Sequence, residues 1–467
     1  MKISEKNIFK KEWFLIVILL LAATITRFYH FGQPNQIVFD EVYFPKFATD
    51  YFKGAYYFDI HPPLAKLMMA GSAKLFGISL PTNFAFKNIS QTYPDNSYKF
   101  LRLIVSIFGV FLILGVYFLT KELFRNKWPA FLAGLFAVFD NALLVQSRVI
   151  LTDIFLLAFG VLGLTFLFVS RRKRPFGLSW FVFLILAGLF LTAGVLVKWT
   201  ALVFVGVAGL VILFDLFKNK KVKIFLGQAA ILLIVSALFY FAVFAIHLKS
   251  LPYTGDGDAF MSSRFQSTLI GNPLYGNPEI KPANLFEKFV ELNAVMYSAN
   301  AGLTATHSYG SKWYSWPILY RPIYYWYYNN GNDTASRIYF LGNPFIWWLG
   351  FLVIVYWVFW FLNQVFKKIK DPYWPEVGFI LAGYFGNLLP YVLVSRVSFL
   401  YHYFPSLIFL IIAFGFFLWR YFKKYPVLIG AVCAVALISF IFFAPLSYGL
   451  PLTEPVFNGK IWFSSWL

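Results

Sequence analysis

Charged side chains are scarce in this sequence, and their scarcity determines its class. Only 13% of the 467 residues are charged, whereas 60% are hydrophobic and 22% are aromatic. A soluble domain carries roughly 25% charged residues. Apolar runs of about 18 residues or more recur along the chain. We therefore predict an integral membrane protein whose helices satisfy their own backbone hydrogen bonds in lipid.

Cysteine is also nearly absent. Cys433 is the only one, which excludes an internal disulfide and a metal site built from cysteines. The five histidines lack metal-ligand spacing, and the chain has no glycine-rich loop with a lysine to hold a nucleotide phosphate. The pattern therefore requires no metal or other cofactor and argues against a nucleotide-driven pump. It leaves open whether a divalent cation assists.

Acidic residues are half as numerous as basic ones, 20 against 40, which gives a net charge of +20. The basic residues do not form a continuous patch for nucleic acid. They lie in short clusters between apolar runs, as the positive-inside rule expects of cytoplasmic loops. The partner implied by the positive charge is thus the lipid bilayer.

The apolar runs predict an all-α polytopic protein of about eleven transmembrane helices. They lie at residues 13–29, 98–120, 129–145, 149–170, 178–196, 199–217, 224–247, 343–366, 374–394, 398–419 and 426–445. With the N-terminus in the cytoplasm, every basic cluster falls on one side. Two large polar loops, 30–97 and 248–342, then lie outside, with a short amphipathic helix expected at 64–76. We predict one membrane-embedded domain over 1–467.

Two adjacent carboxylates, Asp40 and Glu41, follow the first apolar run directly. A charged pair beside so much apolar sequence is costly to place, which favours a functional role. An ordinary pair of solvated loop residues is the equally weighted alternative.

Four basic residues are predicted near the outer ends of helices: Arg102, Arg148, Lys198 and Arg396. Such cations suit the phosphate of a lipid carrier, and arginine holds phosphate oxygens in a bidentate manner. The alternative for each is snorkelling or an intramembrane ion pair. For Arg148 we favour an ion pair or a helix-end network with Asp153.

Several separate stretches together resemble the protein O-mannosyltransferases over nearly the whole chain. They include Phe39-Asp40-Glu41-Val42, His61-Pro62-Pro63-Leu64-Ala65-Lys66, Leu101-Arg102, Asp140 to Arg148 leading to Asp153, Val197-Lys198-Trp199, Ser262-Ser263-Arg264-Phe265-Gln266, His307-Ser308-Tyr309 and Leu400-Tyr401-His402-Tyr403. The resemblance implies the type C glycosyltransferase fold.

The resemblance also implies a reaction. Members of the family transfer mannose, with inversion, from a polyprenyl-phosphate or dolichyl-phosphate carrier to Ser or Thr hydroxyls of secreted or membrane proteins. By resemblance Asp40 is the general base, Glu41 its essential neighbour and Arg102 an important arginine. Six further residues of the matching stretches are expected to contact substrate or support the site: His61, Lys66, Arg264, Gln266, His307 and His402.

Consecutive acids cannot both point at one hydroxyl in regular structure. We therefore assign Asp40 as the base and Glu41 as an acceptor-site or orienting partner. Residues 248–342 leave no room for the β-trefoil insert of eukaryotic members, which favours a bacterial or archaeal plasma membrane. The sugar, the acceptor and the oligomeric state stay open.

Two other functions compete with this interpretation. One is a related carrier-dependent transferase acting on lipid A or a cell-envelope glycan. The other is a membrane transporter, although transporters usually carry ionisable groups at the middle of the membrane. The oligosaccharyltransferase branch is disfavoured, because Trp347-Trp348 is followed by Leu349 where that branch has an aspartate.

Overall fold

The computed structural model describes residues 5–81, 84–304, 306–368 and 370–467, so the start of the predicted cytoplasmic N-terminus lies outside the described residues. Helices dominate the chain. The α-helices are α1 Glu5–Phe28, α2 Phe44–Lys53, α3 Leu64–Leu75, α4 Ser97–Phe124, α5 Lys127–Val138, α6 Asn141–Gln146, α7 Asp153–Ser170, α8 Leu178–Val197, α9 Leu202–Asn219, α10 Val222–Lys249, α11 Ser263–Gln266, α12 Leu285–Ala301, α13 Pro344–Val365, α14 Trp374–Leu388, α15 Phe404–Phe422, α16 Pro426–Tyr448 and α17 Glu454–Asn458.

Eight helices of the described part are long and apolar enough to cross a membrane: α4, α7, α8, α9, α10, α13, α15 and α16. The other three predicted runs overlap α1, α5 and α14. The polytopic helical prediction is confirmed, while the count of eleven spans stays a prediction. Helix α3 coincides with the predicted amphipathic helix at 64–76.

The predicted run 129–145 is not one helix. Helix α5 ends at Val138, and α6 begins at Asn141. Asp140 separates them because its side chain accepts a hydrogen bond from the backbone N–H of Leu143 at 2.8 Å, which starts a new helix. Asp140 also accepts one from the indole of Trp347 on α13 at 2.6 Å. Asp140 therefore holds the first turn of α6 against α13, which lies about 200 positions further along the chain.

The second large loop contains a small antiparallel sheet, so the all-α prediction was incomplete. Strands β1 (Ile323–Gly331) and β2 (Thr334–Phe340) form a hairpin, and β3 (Pro451–Thr453) pairs with β2. The hairpin turn at Gly331, Asn332 and Asp333 has positive φ at all three residues. An Asn-Gly step between aromatic and β-branched runs is a hairpin signal.

Helix α15 lies at the centre of the molecule, and 89% of its most apolar 18-residue stretch is buried. It packs against α4, α5, α13, α14 and α16. Helices α10 and α16 lie at the periphery of the bundle, and only 11% and 17% of their most apolar 18-residue stretches are buried. Their apolar surfaces suit contact with lipid.

Candidate active site

Asp40 lies in a 3-10 turn, Phe39–Val42, between α1 and α2. Phe39 has a φ of 51°, which is unusual for a bulky residue. Its ring stacks on Tyr325 with 4.1 Å between centroids, which holds the turn in place. The carboxylate of Asp40 makes no hydrogen bond or ion pair with any residue that the structure describes. It is therefore free to accept a proton from a substrate.

Glu41 has the opposite environment. It is fully buried, and its two oxygens accept from Nε and Nη2 of Arg102 at 2.8 and 2.6 Å. The backbone N–H groups of Val38 and Ile150 donate to the same carboxylate at 3.0 and 2.7 Å. Glu41 has no room for an acceptor hydroxyl, so the structure supports the orienting alternative among the predicted roles.

Arg102 is not placed to hold a phosphate, contrary to the prediction. It is 0% exposed, and its remaining N–H groups donate to the carbonyls of Gly32, Pro34 and Gln36 at 3.1, 2.6 and 2.9 Å. All five donors of the guanidinium are thus used. Arg102 fixes the loop that carries Asp40.

Arg148 does not face a phosphate site but belongs to a helix-end network, one of its predicted alternatives, although without Asp153. Its guanidinium donates to the carbonyls of Arg27, Tyr29 and His30 at 2.7, 2.6 and 2.9 Å and lies over the ring of Tyr448. The predicted ion pair with Asp153 is wrong, because the carboxylate of Asp153 pairs with another residue. Arg148 anchors the end of α1, where the first loop begins.

Lys198 is the partner of Asp153. Its ammonium lies 3.1 Å from Oδ1 of Asp153, the first residue of α7. Burial raises the pKa of Asp40 to about 7, Lys198 opposes the rise, and Asp153 and Asp59 add to it. A carboxyl with a pKa near neutrality is well matched to act as a general base at neutral pH.

A cavity of about 410 Å³ lies beside Lys198. His61, Lys198 and Arg396 line it. The side chain of Arg396 makes no hydrogen bond or ion pair with a described residue. Burial, and then Lys198, lower the pKa of His61 to about 3, so its imidazole is neutral. The cavity therefore combines an unpaired guanidinium with a neutral ring, which suits an anionic, partly polar ligand.

Lys66 holds the turn that carries His61. Its ammonium donates to the carbonyl of His61 at 2.8 Å and pairs with Asp59. Burial alone would raise the pKa of Asp59, but the ammonium of Lys66 holds this pKa below its usual value. Lys66 is 2% exposed, so it supports the site and does not face the cavity.

Of the other predicted residues, His307 and His402 lie near Arg396, whereas Arg264 and Gln266 do not line either cavity. His307 and Arg396 line a neighbouring cavity of about 510 Å³. His402 is buried and bonds through Nδ1 to the backbone of Phe399. Arg264 pairs with Glu287 at 2.9 Å, and Gln266 donates to the carbonyl of Met261 at 2.7 Å. These last two bonds stay within the second loop.

Helix α12 also contributes to the cavity, which its sequence did not indicate. Asn300 and Tyr297 of this helix line the cavity with His61. Asn300 also donates to the carbonyl of Ile60 at 2.8 Å, which fixes α12 against the first loop. No local pattern predicts this contact, because the two residues are 240 positions apart.

Solved structures share this architecture. The Saccharomyces cerevisiae protein O-mannosyltransferase Pmt1-Pmt2 complex bound to the sugar donor matches at a TM-score of 0.89 and 21% identity, over 98% of this chain and 93% of that chain. ArnT from Cupriavidus metallidurans bound to undecaprenyl phosphate matches at 0.51 and 12% identity, over 91% and 64%. The protein is thus an integral membrane protein with the type C glycosyltransferase fold.

The sequence assigns the chain within this class. Residues 17–252 match the family model of dolichyl-phosphate-mannose-protein mannosyltransferase, and residues 285–466 match that of the C-terminal four-transmembrane region of protein-O-mannosyltransferase. The chain belongs to the protein O-mannosyltransferase family, which sets the transporter interpretation aside. Dolichyl-phosphate-mannose–protein mannosyltransferase 1 of Candida albicans is 31% identical over 58% of this chain. The match spans about a third of that relative, 32% of its length.

Proposed function

We propose that this protein transfers mannose from a polyprenyl-phosphate carrier to Ser or Thr hydroxyls of secreted or membrane polypeptides, with inversion at the sugar carbon. The observation that carries the proposal is the unpartnered carboxylate of Asp40, with a pKa near 7, beside the cationic pocket of Lys198 and Arg396. Family membership supports both the donor and the acceptor class.

The reaction needs one base and one displacement. The hydroxyl oxygen attacks the sugar C1 as Asp40 takes its proton, and the bond from C1 to the phosphate oxygen breaks. The phosphate leaves with the electron pair of that bond. A positioned base contributes roughly a hundred- to ten-thousand-fold to the rate. No covalent intermediate and no metal is required by this scheme.

The departing phosphate needs positive charge and no proton. Arg396 is our candidate for holding it, since its guanidinium is unpaired and lines the cavity. Lys198 assists from its ion pair with Asp153. Fixed cations at the point where negative charge develops lower the barrier without reorganisation.

The proposed orientation places the site on the extracytoplasmic face and the N-terminus in the cytoplasm. The basic segments Arg171-Arg172-Lys173-Arg174 and Lys220-Lys221 lie at the helix ends opposite to Asp153 and Lys198, which supports it through the positive-inside rule. The second loop has no room for a β-trefoil insert, which supports a bacterial or archaeal plasma membrane, although the named Candida relative is eukaryotic.

The test is a transfer assay with the purified full chain, synthetic polyprenyl-phosphate-mannose and a peptide rich in Ser and Thr. Asp40→Asn keeps the shape of the side chain but cannot take the proton. We expect its turnover to fall by at least about a hundredfold, with donor binding unchanged. The matched control is Asp95→Asn, an exposed acid of the same loop that caps Ser97.

Normal turnover in Asp40→Asn would refute the base. Consumption of the donor by the wild type without labelled peptide would keep the donor and reject the protein acceptor, leaving a lipid or envelope glycan as acceptor. An Arg396→Gln variant with unchanged affinity for the donor would reject the phosphate pocket.

A further inference from the structure

A second polar cavity lies at the opposite end of the helix bundle from Asp40. Helix α7 starts at Asp153 and ends at Ser170. At about 1.5 Å per residue its length is roughly 27 Å, close to the hydrocarbon thickness of a bilayer. Beyond that end lies a cavity of about 550 Å³, which we name the basic cavity. Its basic residues are Arg125, Arg171, Arg172, Lys173, Lys218 and Lys221.

The basic cavity retains excess positive charge. Of its three carboxylates, Asp215 pairs with Arg171 at 2.6 Å and Glu122 pairs with Arg172. The other four basic side chains make no ion pair with any described residue, and only Glu376 is left to offset them. An anionic ligand would therefore be attracted to this cavity.

A buried polar side chain points to a ligand as well. Gln228 of α10 lines the basic cavity and is only 3% exposed. Its amide makes no hydrogen bond with a described residue. Because this amide lines the cavity and has no partner among the described residues, a ligand can accept hydrogen bonds from its N–H groups.

An apolar cavity of about 330 Å³ adjoins the basic cavity. The two share the walls formed by Arg171, Lys218 and Glu376. Phe214 of α9 and Phe379 of α14 line the apolar cavity, with Leu210 half exposed at its edge. A charged compartment that continues into an apolar one between helices matches the two parts of a membrane lipid.

We propose that the two cavities bind an anionic glycerophospholipid of the leaflet opposite to the candidate active site. The phosphate lies among the unpaired cations of the basic cavity, and one acyl chain enters the apolar cavity. Phosphatidylglycerol fits this description, because its headgroup carries the phosphate charge and adds no positive charge.

A soluble phosphate compound fits the same cations but leaves the apolar cavity empty. A zwitterionic lipid fills the apolar cavity but carries a choline that meets four unpaired cations. The combination of both cavities therefore favours the anionic lipid over either. The proposal does not depend on the transfer reaction and fails or succeeds separately from it.

Native mass spectrometry of the full chain in detergent tests the proposal. The probes are dioleoylphosphatidylglycerol, dioleoylphosphatidylcholine and glycerol 3-phosphate. We expect one phosphatidylglycerol per chain, bound about tenfold or more tightly than phosphatidylcholine. The double variant Lys218→Ala with Lys221→Ala should lose roughly that preference. Ala382→Phe, which fills the apolar cavity, should weaken phosphatidylglycerol binding.

The matched control is Lys223→Ala with Lys424→Ala, which removes the same charge at the same end of the bundle outside both cavities. It should bind phosphatidylglycerol as the wild type does. Equal losses in the two double variants would overturn the proposal, since the attraction would then be unspecific. Competition by glycerol 3-phosphate at the affinity of the lipid would overturn it too. Thermal unfolding verifies that each variant is folded.

Discussion

Asp40 and Glu41 are neighbours in the chain but lie in opposite electrostatic environments. Glu41 accepts four hydrogen bonds, two of them from Arg102, which hold its side chain in one position. Asp40 has no such partner, and burial raises its pKa to about 7. Glu41 thus positions the loop, whereas Asp40 has a shifted pKa that suits it to take up a proton in the reaction.

The titration of Asp40 predicts the pH dependence of the reaction. Only the deprotonated form is a base, so kcat/KM should rise with pH through about 7 and level off above it. Lys198 lowers this pKa and Asp153 raises it. In Lys198→Met the midpoint should therefore move up, and in Asp153→Asn down, each by about one unit. Rate profiles of the three proteins measure the midpoints.

Shifts of the same sign in both variants would contradict the assigned electrostatics. A profile that is flat through neutrality would contradict Asp40 as the base.

The position of the acidic pair was predictable, because a charge next to an apolar run is conspicuous in the sequence. The carbonyl partners of Arg102 and Arg148 were not, since backbone carbonyl groups leave no signal in the side-chain pattern.

At the scale of elements, the break between α5 and α6 depends on one side chain. Asp140 accepts hydrogen bonds from the backbone N–H groups of Leu143 and Asn343 and from the indole of Trp347. Hydropathy alone merges the two helices, because Asp140 is one polar residue among apolar ones. The hairpin of β1 and β2 was not predicted, although Gly331, Asn332 and Asp333 are turn-forming residues that follow an aromatic run.

Removing this cap should destabilise the protein more than an ordinary cap does. Asp140→Ala leaves three buried donors without a partner, at about 1–3 kcal/mol each. Asn126→Ala removes the exposed cap of α5, which accepts from Trp128 at 2.9 Å, and should cost about 1 kcal/mol. Thermal unfolding in detergent compares them. Equal losses would show that the Asp140 contacts do not stabilise the break.

At the scale of the whole molecule, two family regions meet along a helix pair. Helix α5 belongs to the region that matches residues 17–252, and α15 to the one that matches 285–466. They pack closely at Gly415, where an added Cβ would lie 2.9 Å from the backbone N of Ala133 and the carbonyl of Pro129. The sequence predicted both helices, but not this contact, since it joins residues almost 300 positions apart.

Gly415→Ala should therefore separate the two regions slightly, because helix backbone cannot yield as a side chain can. Overpacking of this kind costs about 1–3 kcal/mol. Gly430→Ala is the matched control, since an added Cβ on α16 meets nothing within 4 Å and alanine favours helix by up to about 1 kcal/mol. We expect the unfolding temperature to fall in the first variant and to stay or rise in the second. If both variants unfold like the wild type, α15 does not hold the two regions together by close packing at this point.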